Sequence, residues 1–385
     1  MQSSRDTVMS KVDLGRISAM VAGQKAPFWL RPQAVLSGTT AEVAVAAGRA
    51  LPLAGGVFGL AFAEVEIVVR DATTDAGVIG SVVPLERASC WATAAGASAR
   101  HEAQLRALSE AREPWAGIEF HRPSIMGILN VTPDSFSDGG DHLDAAAAIA
   151  AGRAMLEAGA DILDIGGEST RPGAQPVDPT EEIRRIEPVI KELAHVGARI
   201  SVDTRNAVTM RAALAAGACI INDVSALTGD PESLRVAAQS GVPIVLMHML
   251  GDPRTMQNDP VYASAPLDIL DYLEKRIESC VTGGVPRSRI AVDPGIGFGK
   301  RLRHNLQVVS RLSLLHLTGC PILLGASRKS FISSAVRQGI PAKARLPGSI
   351  AAELAALDQG IQILRVHDVP ETWQAVEVWR GIRAA

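Results

Sequence analysis

Residues 124–385 alternate between short apolar runs and longer helical stretches, and this pattern constrains the fold more than any other feature. The runs are mainly apolar rather than alternating between apolar and polar residues, which indicates strands buried on both faces, as in a parallel sheet. Eight runs occur: Ile125–Leu129, Ile162–Ile165, Ile200–Val202, Cys219–Ile221, Ile244–Met247, Ile290–Val292, Ile322–Leu324 and Ile363–Val366. Eight strand–helix units predict an α/β fold, a (β/α)8 barrel of the TIM type. An open doubly wound sheet is the alternative, but no GxGxxG motif or reversal point favours it.

Helical stretches lie between the apolar runs. The clearest is Glu181–Leu193, where isoleucine and leucine recur at three- and four-residue spacing on one face. Asp178 is the predicted N-cap, Pro179 the first helical residue and Glu181 the partner in a capping box. Pro188 predicts a kink or a break. The other predicted helices span residues 143–158, 206–216, 231–240, 266–282, 303–316, 329–337, 348–359 and 370–383.

Composition and charge narrow the class of protein. Hydrophobic residues make up 47% and charged residues 21% of the 385 residues, which is typical of a globular protein with a sizeable core. The net charge of −3 gives no overall attraction to nucleic acid or anionic membranes. The first residues lack the apolar segment of a signal peptide, and the apolar run at residues 50–69 is interrupted by proline, glycine and glutamate. We therefore expect a cytoplasmic protein that acts on small molecules, and a homodimer remains open.

The four cysteines predict neither a disulfide framework nor a zinc site. Cys90, Cys219, Cys280 and Cys320 form no CxxC pair. We expect reduced thiols, and none is suggested as a nucleophile.

Residues 1–120 are predicted to be an N-terminal extension, separate from the catalytic domain at residues 121–385. A strand is indicated at Phe62–Val69, and helices are indicated at Thr40–Arg49 and Glu102–Arg112. The segment contains no cluster of histidine, cysteine or acidic residues with ligand spacing. It is interpreted as a small α/β appendage or an oligomer contact, and its function is not predicted.

Polar side chains stand at the end of every predicted barrel strand. They are Asn130, Asp164 to Glu168, Asp203, Asn222, His248, Asp293, Ser327 to Lys329, and Arg365 to His367. Because the carboxyl ends of barrel strands meet around one mouth, where active sites of this fold lie, we expect a shared site.

One part of this ring suits a flat polar heterocycle. Asp203, Asn222 and Asp293 can make in-plane hydrogen bonds to amino, amide and ring N–H groups. A carboxylate facing an N–C–N donor pair gains a bidentate bond, which indicates an aminopyrimidinone ring.

Another part of the ring suits an anion. Arg328, Lys329, Arg365 and His367 follow the seventh and eighth strands, where this fold often binds phosphate. Asn130 offers one oxygen ligand for Mg²⁺, and the oxygens of a bound diphosphate and water would complete an octahedron.

Three loops complete the predicted mouth. Residues 131–140 and 166–173 follow the first two strands. Each is either a plain surface loop or part of a wall in which Phe136, Arg171 and Pro172 enclose a small aromatic acid. The Gly-rich run Asp293–Lys300 is not a Walker A motif. Its glycines are expected to let the backbone leave the strand sharply.

With these residues in view, the chain resembles the dihydropteroate synthase family. The resemblance covers about residues 121–385 and rests on seven ordered segments: MGILNVTPDSFSDGG, GADILDIGGESTRPGA, ISVDTR, INDVSAL, DPGIGFGK, GASRKSFI and RVHDV. The family joins 4-aminobenzoate to the methylene of a dihydropterin methyl diphosphate, which forms 7,8-dihydropteroate for folate synthesis and releases diphosphate. The first hundred or so residues lie outside the resemblance.

The resemblance implies roles for individual residues. The pterin would be held by Asp203, Asn222, Asp293 and Lys329, and the diphosphate with Mg²⁺ by Asn130, Thr170, Arg365 and His367. The 4-aminobenzoate, and competing sulfonamides, would lie among Phe136, Thr170, Arg171, Pro172, Phe298, Lys329 and Ser330. The catalytic residues would be Asp203, Lys329, Arg365, His367 and Asp138. A dissociative, SN1-like order of bond changes is expected.

Two other readings share the barrel and the pterin pocket. A corrinoid-dependent pterin methyltransferase would not need the cationic and polar residues after the seventh and eighth strands. A catalytically silent partner subunit would be compatible with the N-terminal extension, but no core motif position is visibly disrupted.

Overall fold

Eight parallel strands form the larger of two sheets in the computed structural model, which describes residues 14–23, 26–132, 141–168, 177–251, 255–337 and 339–384. The strands are β5 (Ser124–Asn130), β6 (Ile162–Gly166), β7 (Ile200–Asp203), β8 (Ile220–Asp223), β9 (Ile244–Met247), β10 (Ile290–Asp293), β11 (Leu323–Leu324) and β12 (Ile363–Val366). Their order in the sheet is β10-β9-β8-β7-β6-β5-β12-β11. A parallel bridge between Val292 and Ile322 brings the two edge strands together. The predicted (β/α)8 barrel is confirmed, nearly closed and with an additional N-terminal unit.

Helices surround the barrel in the predicted alternation. They are α5 (Asp141–Glu157), α6 (Pro179–His195), α7 (Ala207–Ala216), α8 (Ser233–Ser240), α9 (Ala265–Thr282), α10 (Leu302–Val309), α11 (Ser330–Ala335), α12 (Leu346–Leu357) and α13 (Val369–Ala384). The single helix predicted at 303–316 is wrong, because α10 ends at Val309 and a 3₁₀ helix follows at Leu312–Thr318. No helix of the described ranges combines the length and apolar character needed to cross a bilayer.

Helix α6 begins at its predicted cap but lacks the predicted capping box. The Asp178 carboxylate accepts the backbone N–H two residues on, at 2.9 Å. The Glu181 carboxylate instead binds Arg184 and Arg185, and these hydrogen bonds lower its pKa to about 2. The helix runs through Pro188 without a break. Pro188 lies on the exposed side, where water can serve the carbonyl group that proline leaves without a donor.

The N-terminal unit is a second, antiparallel sheet. Its strands are β1 (Phe28–Leu36), β2 (Leu51–Pro52), β3 (Ala61–Arg70) and β4 (Val78–Pro84), and its helices are α1 (Leu14–Ser18), α2 (Gly38–Ala46), α3 (Leu85–Ala94) and α4 (Ser98–Ser109). Strand β3 pairs with β1 on one side and with β2 and β4 on the other. The free edge of β1 is covered by Gln104, whose side chain accepts from the Leu30 N–H at 2.7 Å and donates to the Phe28 carbonyl at 2.9 Å.

Successive side chains of the antiparallel sheet point to opposite faces, so the sheet contributes to two cores. Phe28 and Leu30 belong to the core of the N-terminal unit, where Phe28 packs edge-on against Trp91. Trp29 lies between them in sequence and belongs to the core of the barrel. Arg70 of β3 also forms ion pairs with two aspartates of α9. The extension is therefore packed on the barrel.

The linker between the units, residues 110–123, fills the base of the barrel. Trp115 and Ile118 pair in a short antiparallel bridge. Both are buried in one cluster with inward-facing residues from the barrel strands: Met126, Ile162, Ile220, Val245, Ala291, Leu323 and Ile363. The Trp115 indole donates to the Arg289 carbonyl at 3.0 Å. Part of the predicted extension thus completes the barrel core.

The cysteines are all free thiols, as predicted. Cys280 and Cys320 are buried, whereas Cys90 is exposed. Burial raises the pKa of the Cys280 thiol to about 11, which keeps this thiol protonated at neutral pH.

Candidate active site

The carboxyl ends of the barrel strands bring the predicted polar residues to one mouth. Asp164 lies on β6, Asp203 closes β7, Asn222 lies on β8, Asp293 closes β10 and Arg365 lies on β12. Parallel strands all end on the same side of the barrel, so residues far apart in sequence become neighbours. All of these side chains except that of Arg365, which is partly exposed, are buried.

Arg365 links two carboxylates at the centre of this mouth. Its Nε donates to Asp164 Oδ2 at 2.6 Å, and its terminal nitrogen donates to Asp203 Oδ2 at 2.7 Å. Asn222 Nδ2 donates to the same oxygen of Asp164 at 3.1 Å. Burial opposes the charge on Arg365, but the two carboxylates outweigh it and raise the pKa of the guanidinium. The group is therefore a permanent cation held in one plane.

The carboxylates of this network can accept more hydrogen bonds than neighbouring groups donate to them. Burial raises the pKa of Asp203, Arg365 opposes this shift and Asp164 adds to it. Asp164 Oδ1 and Asp203 Oδ1 are buried and have no hydrogen-bond partner within the described part of the chain. A ligand that brings an N–H donor to Asp203 would suit this arrangement.

A second pair of charged groups lies beside the first. Burial raises the pKa of Asp293, and Lys329 opposes the shift. Lys329 Nζ lies 4.4 Å from the centre of the Phe298 ring and donates to the Ile296 carbonyl. Burial also lowers the pKa of Lys329 to about 8, against the opposing effect of Asp293. Lys329 thus joins the seventh strand end to the Gly-rich loop.

The buried side chain of Lys300 anchors the Gly-rich loop through hydrogen bonds to its backbone. No role was predicted for this residue from the sequence. Lys300 Nζ is buried and lies 2.8 Å from the Gly295 carbonyl, 3.0 Å from the Phe298 carbonyl and 3.0 Å from His248 Nδ1. Burial, followed by the Lys300 charge, lowers the pKa of His248 to about 2, so the neutral ring can accept a hydrogen bond. Gly295 has φ +65°, and a Cβ there would lie 2.0 Å from the His248 carbonyl oxygen. The predicted sharp exit from the strand is confirmed.

Replacing Lys300 with methionine is expected to lower the free energy of unfolding by about 2 kcal/mol or more. Methionine fills similar space but leaves the carbonyl groups of Gly295 and Phe298 and one ring nitrogen without this donor. Urea unfolding measures the change, and Lys191→Met, at an exposed helical ion pair, is the matched control. Equal stability of the two variants would contradict a clamp at Lys300.

Fewer residues at the mouth are available to bind an anion than predicted. Arg328 is bound through Nε to Asp368 Oδ2 at 2.9 Å, with a further contact between its terminal nitrogen and the same carboxylate. Its backbone has φ +58°, and its N–H donates to Ser349 Oγ at 2.9 Å. We therefore leave Arg328 out of the anion-binding group. The Nδ1 and backbone N–H of His367 contact Ser327 Oγ at 3.1 and 3.2 Å, which joins the last two strand ends.

The remaining predicted positions differ in exposure. Asn130 closes β5 beside Gly166 and is partly exposed. Phe298 is partly exposed, and Ser330 is exposed at the start of α11. Their roles stay predictions. The predicted residues Phe136, Asp138, Thr170, Arg171 and Pro172 lie outside the described residues.

The donor set at the mouth fits Mg²⁺ only if the substrate supplies most of the ligands. No group of three histidine, cysteine, aspartate or glutamate side chains in the described ranges could hold a metal ion. Asn130 would add one amide oxygen, a ligand type that Mg²⁺ accepts.

Glu168 was predicted only as one of several polar residues at the end of the second barrel strand, without a role of its own. Its carboxylate accepts from Arg205 at 3.0 Å and from the Val177 N–H at 3.3 Å. It therefore connects the two described ends that flank residues 169–176. Its place after a strand was the only sequence signal.

A parallel barrel with these carboxylate, amide, lysine and arginine side chains at its mouth defines the class of pterin-binding barrel enzymes. The matching family model is described as pterin binding enzyme and covers residues 126–367. The chain belongs to the dihydropteroate synthase family within this class, and is a transferase of that type.

Similar proteins support this assignment. Dihydropteroate synthase of Neisseria meningitidis serogroup B is 46% identical over 281 residues, which cover 71% of this chain and 98% of the relative. A Yersinia pestis dihydropteroate synthase structure in a sulfonamide drug complex has 45% identity and a TM-score of 0.66, covering 70% of this chain and 97% of the other. A Xanthomonas albilineans dihydropteroate synthase structure with 4-aminobenzoic acid has 45% identity and a TM-score of 0.65, covering 69% and 94%.

Proposed function

We propose that the chain condenses (7,8-dihydropterin-6-yl)methyl diphosphate with 4-aminobenzoate in folate biosynthesis, with a Mg²⁺-bound diphosphate as the leaving group. The observation that carries the proposal is the meeting of Asp203, Asn222, Asp293 and Lys329 at one barrel mouth. The Xanthomonas albilineans synthase with 4-aminobenzoic acid supports the choice of second substrate.

The pterin ring would supply hydrogen-bond donors that the site lacks. Its amino and ring N–H groups can donate to Asp203 and Asp293, and the carbonyl oxygen of Asn222 can accept another. Asp203 also leaves one buried oxygen without a donor in the described part of the chain. Pterin binding would therefore stabilise the ionised form of Asp203, whose pKa is raised in the free protein.

The diphosphate would meet a site that has no surplus of fixed positive charge. Arg365 and Lys329 lie among three aspartates, namely Asp164, Asp203 and Asp293. Additional negative charge from a diphosphate therefore needs a cation that arrives with it. When bound, Mg²⁺ supplies Lewis-acid stabilisation of the leaving oxygens. Asn130 would hold the ion, and His367 would donate to the diphosphate.

We infer a dissociative order of bond changes. The bond from the pterin methylene carbon to the diphosphate oxygen breaks first, and its electron pair leaves with the diphosphate. The Asp203 carboxylate stabilises the positive charge, which is delocalised into the ring. The 4-aminobenzoate nitrogen then forms the new C–N bond and releases a proton. No enzyme nucleophile takes part, so the buried cysteines have no role in this step.

Sustained diphosphate release is expected to require both 4-aminobenzoate and Mg²⁺, with loss in EDTA and recovery on adding the metal. Asn130→Ala should raise the Mg²⁺ concentration for half-maximal rate by about tenfold, since removal of a metal-site partner typically costs 10- to 100-fold in affinity. Asn258→Ala, at an exposed loop residue, is the matched control. Release that continues beyond a single turnover without 4-aminobenzoate would contradict the proposed reaction. An unchanged Mg²⁺ requirement in Asn130→Ala would remove only Asn130 from the metal site.

A further inference from the structure

Asp164 is the most deeply placed carboxylate of the central network. Its side chain is 0% exposed, compared with 7% for that of Asp203. One oxygen, Oδ2, accepts from both Asn222 Nδ2 and Arg365 Nε. Asp164 therefore contacts two groups of the mouth without being open to it.

The contact to Asn222 sets which end of the amide faces a ligand. An ionised carboxylate can only accept hydrogen bonds, so the NH₂ end of the Asn222 amide must turn towards Asp164. The carbonyl oxygen of Asn222 is then left for a ligand. Without Asp164, the amide could turn over and present a donor instead.

The contact to Arg365 fixes the plane of the guanidinium. Two donor groups of the same planar fork bind Asp164 and Asp203, at 2.6 and 2.7 Å. Loss of the first contact would leave Arg365 free to pair more closely with Asp203.

We propose that Asp164 is a positioning residue that makes the pterin site a set of acceptors. It does so by holding the NH₂ end of Asn222 away from the ligand and by keeping Arg365 between two carboxylates. This inference rests on the proposed function, because it takes the pterin as the donor-bearing ligand. It makes Asp164 a determinant of pterin recognition through Asn222 and Arg365.

Two variants of Asp164 separate its acceptor from its charge. Asp164→Leu removes the acceptor and is expected to raise the KM for the pterin substrate by about 30-fold, while the KM for 4-aminobenzoate changes less than threefold. Combining it with Asn222→Leu should add less than threefold, because both changes remove the same oriented amide. Asp161→Asn, just before the same strand and bound to Arg122 away from the mouth, is the matched control and should leave the pterin KM unchanged.

Asp164→Asn keeps an acceptor but removes the charge, and it tests the inference even if the leucine variant fails to fold. Because Asp164 raises the pKa of Asp203, the acidic limb of the kcat/KM profile should move to lower pH in this variant. A purely structural role would not move that limb. Multiplicative effects of Asp164→Leu and Asn222→Leu, or an unmoved acidic limb in Asp164→Asn, would overturn the inference. Failure of the wild-type chain to turn over the pterin diphosphate would instead overturn the proposed function.

Discussion

Replacing Lys329 with alanine is expected to lower kcat/KM for both substrates by about 100-fold or more, the usual cost of removing a preorganised charged or hydrogen-bonding group from a reacting site. Lys329 interacts electrostatically with Asp293 and lies over the Phe298 ring. The predicted pterin and 4-aminobenzoate positions meet at this side chain. One substitution should therefore damage the use of both substrates together.

The charge of Lys329 also predicts the pH dependence of the wild-type enzyme. Burial lowers its pKa to about 8, and the ammonium form exists below that pH. The value of kcat/KM should consequently fall as pH rises through about 8. Lys329→Arg would keep its charge at higher pH and should lose this basic limb.

Steady-state kinetics with each substrate varied in turn measure the effect. Lys343→Ala, at an exposed lysine farther along the same connection, is the matched control and should retain wild-type kinetics. If Lys329→Ala impaired the use of only one substrate, the shared position of Lys329 would be wrong.

Replacing Trp115 with alanine is expected to lower the free energy of unfolding by about 3–5 kcal/mol, the range for a large aromatic side chain removed from a packed core. Trp115 is 1% exposed and packs beneath the barrel strands together with Ile118. Its indole N–H also bonds the Arg289 carbonyl. Alanine would leave a cavity and an unpaired carbonyl group at the base of the barrel.

Urea unfolding compares this variant with Trp373→Ala, whose side chain is 44% exposed and should change stability by less than about 1 kcal/mol. The same reasoning predicts that two truncated chains differ in stability. A chain that begins at Pro123 lacks Trp115 and Ile118 and should be less stable than one that begins at Glu113, which retains both. Equal destabilisation by Trp115→Ala and Trp373→Ala would show that the linker does not complete the core.

The barrel could be predicted from sequence because its strands are buried on both faces. Ile244–Met247 and Ile363–Val366 begin and end where the apolar runs do. The strand-end rule then placed Asp203, Asn222 and Asp293 at one mouth. These features depend on local pattern and on one property of parallel sheets.

Features that depend on contacts between distant segments could not be predicted. Nothing near Trp115 in sequence indicates that it lies beneath strands that begin after residue 123. The pairing of Arg328 with Asp368 also required the fold, since the two residues are 40 positions apart. Glu181 has the right spacing for a capping box, but two arginines compete for its carboxylate.

The role of Lys300 was missed for a similar reason. A lysine after a Gly-rich run suggests a phosphate-binding loop or a solvated end, and the sequence gives no sign that it turns inward. Only the fold brings it next to His248, which follows a different strand. Buried lysines are rare, so burial itself is the informative observation.

The most direct test of the account is the product formed by the purified full-length chain. We expect that (7,8-dihydropterin-6-yl)methyl diphosphate, 4-aminobenzoate and Mg²⁺ give 7,8-dihydropteroate and diphosphate in equal amounts, measured by mass spectrometry and a diphosphate assay. Consumption of the pterin diphosphate without incorporation of 4-aminobenzoate, or no turnover by the folded chain, would contradict the account.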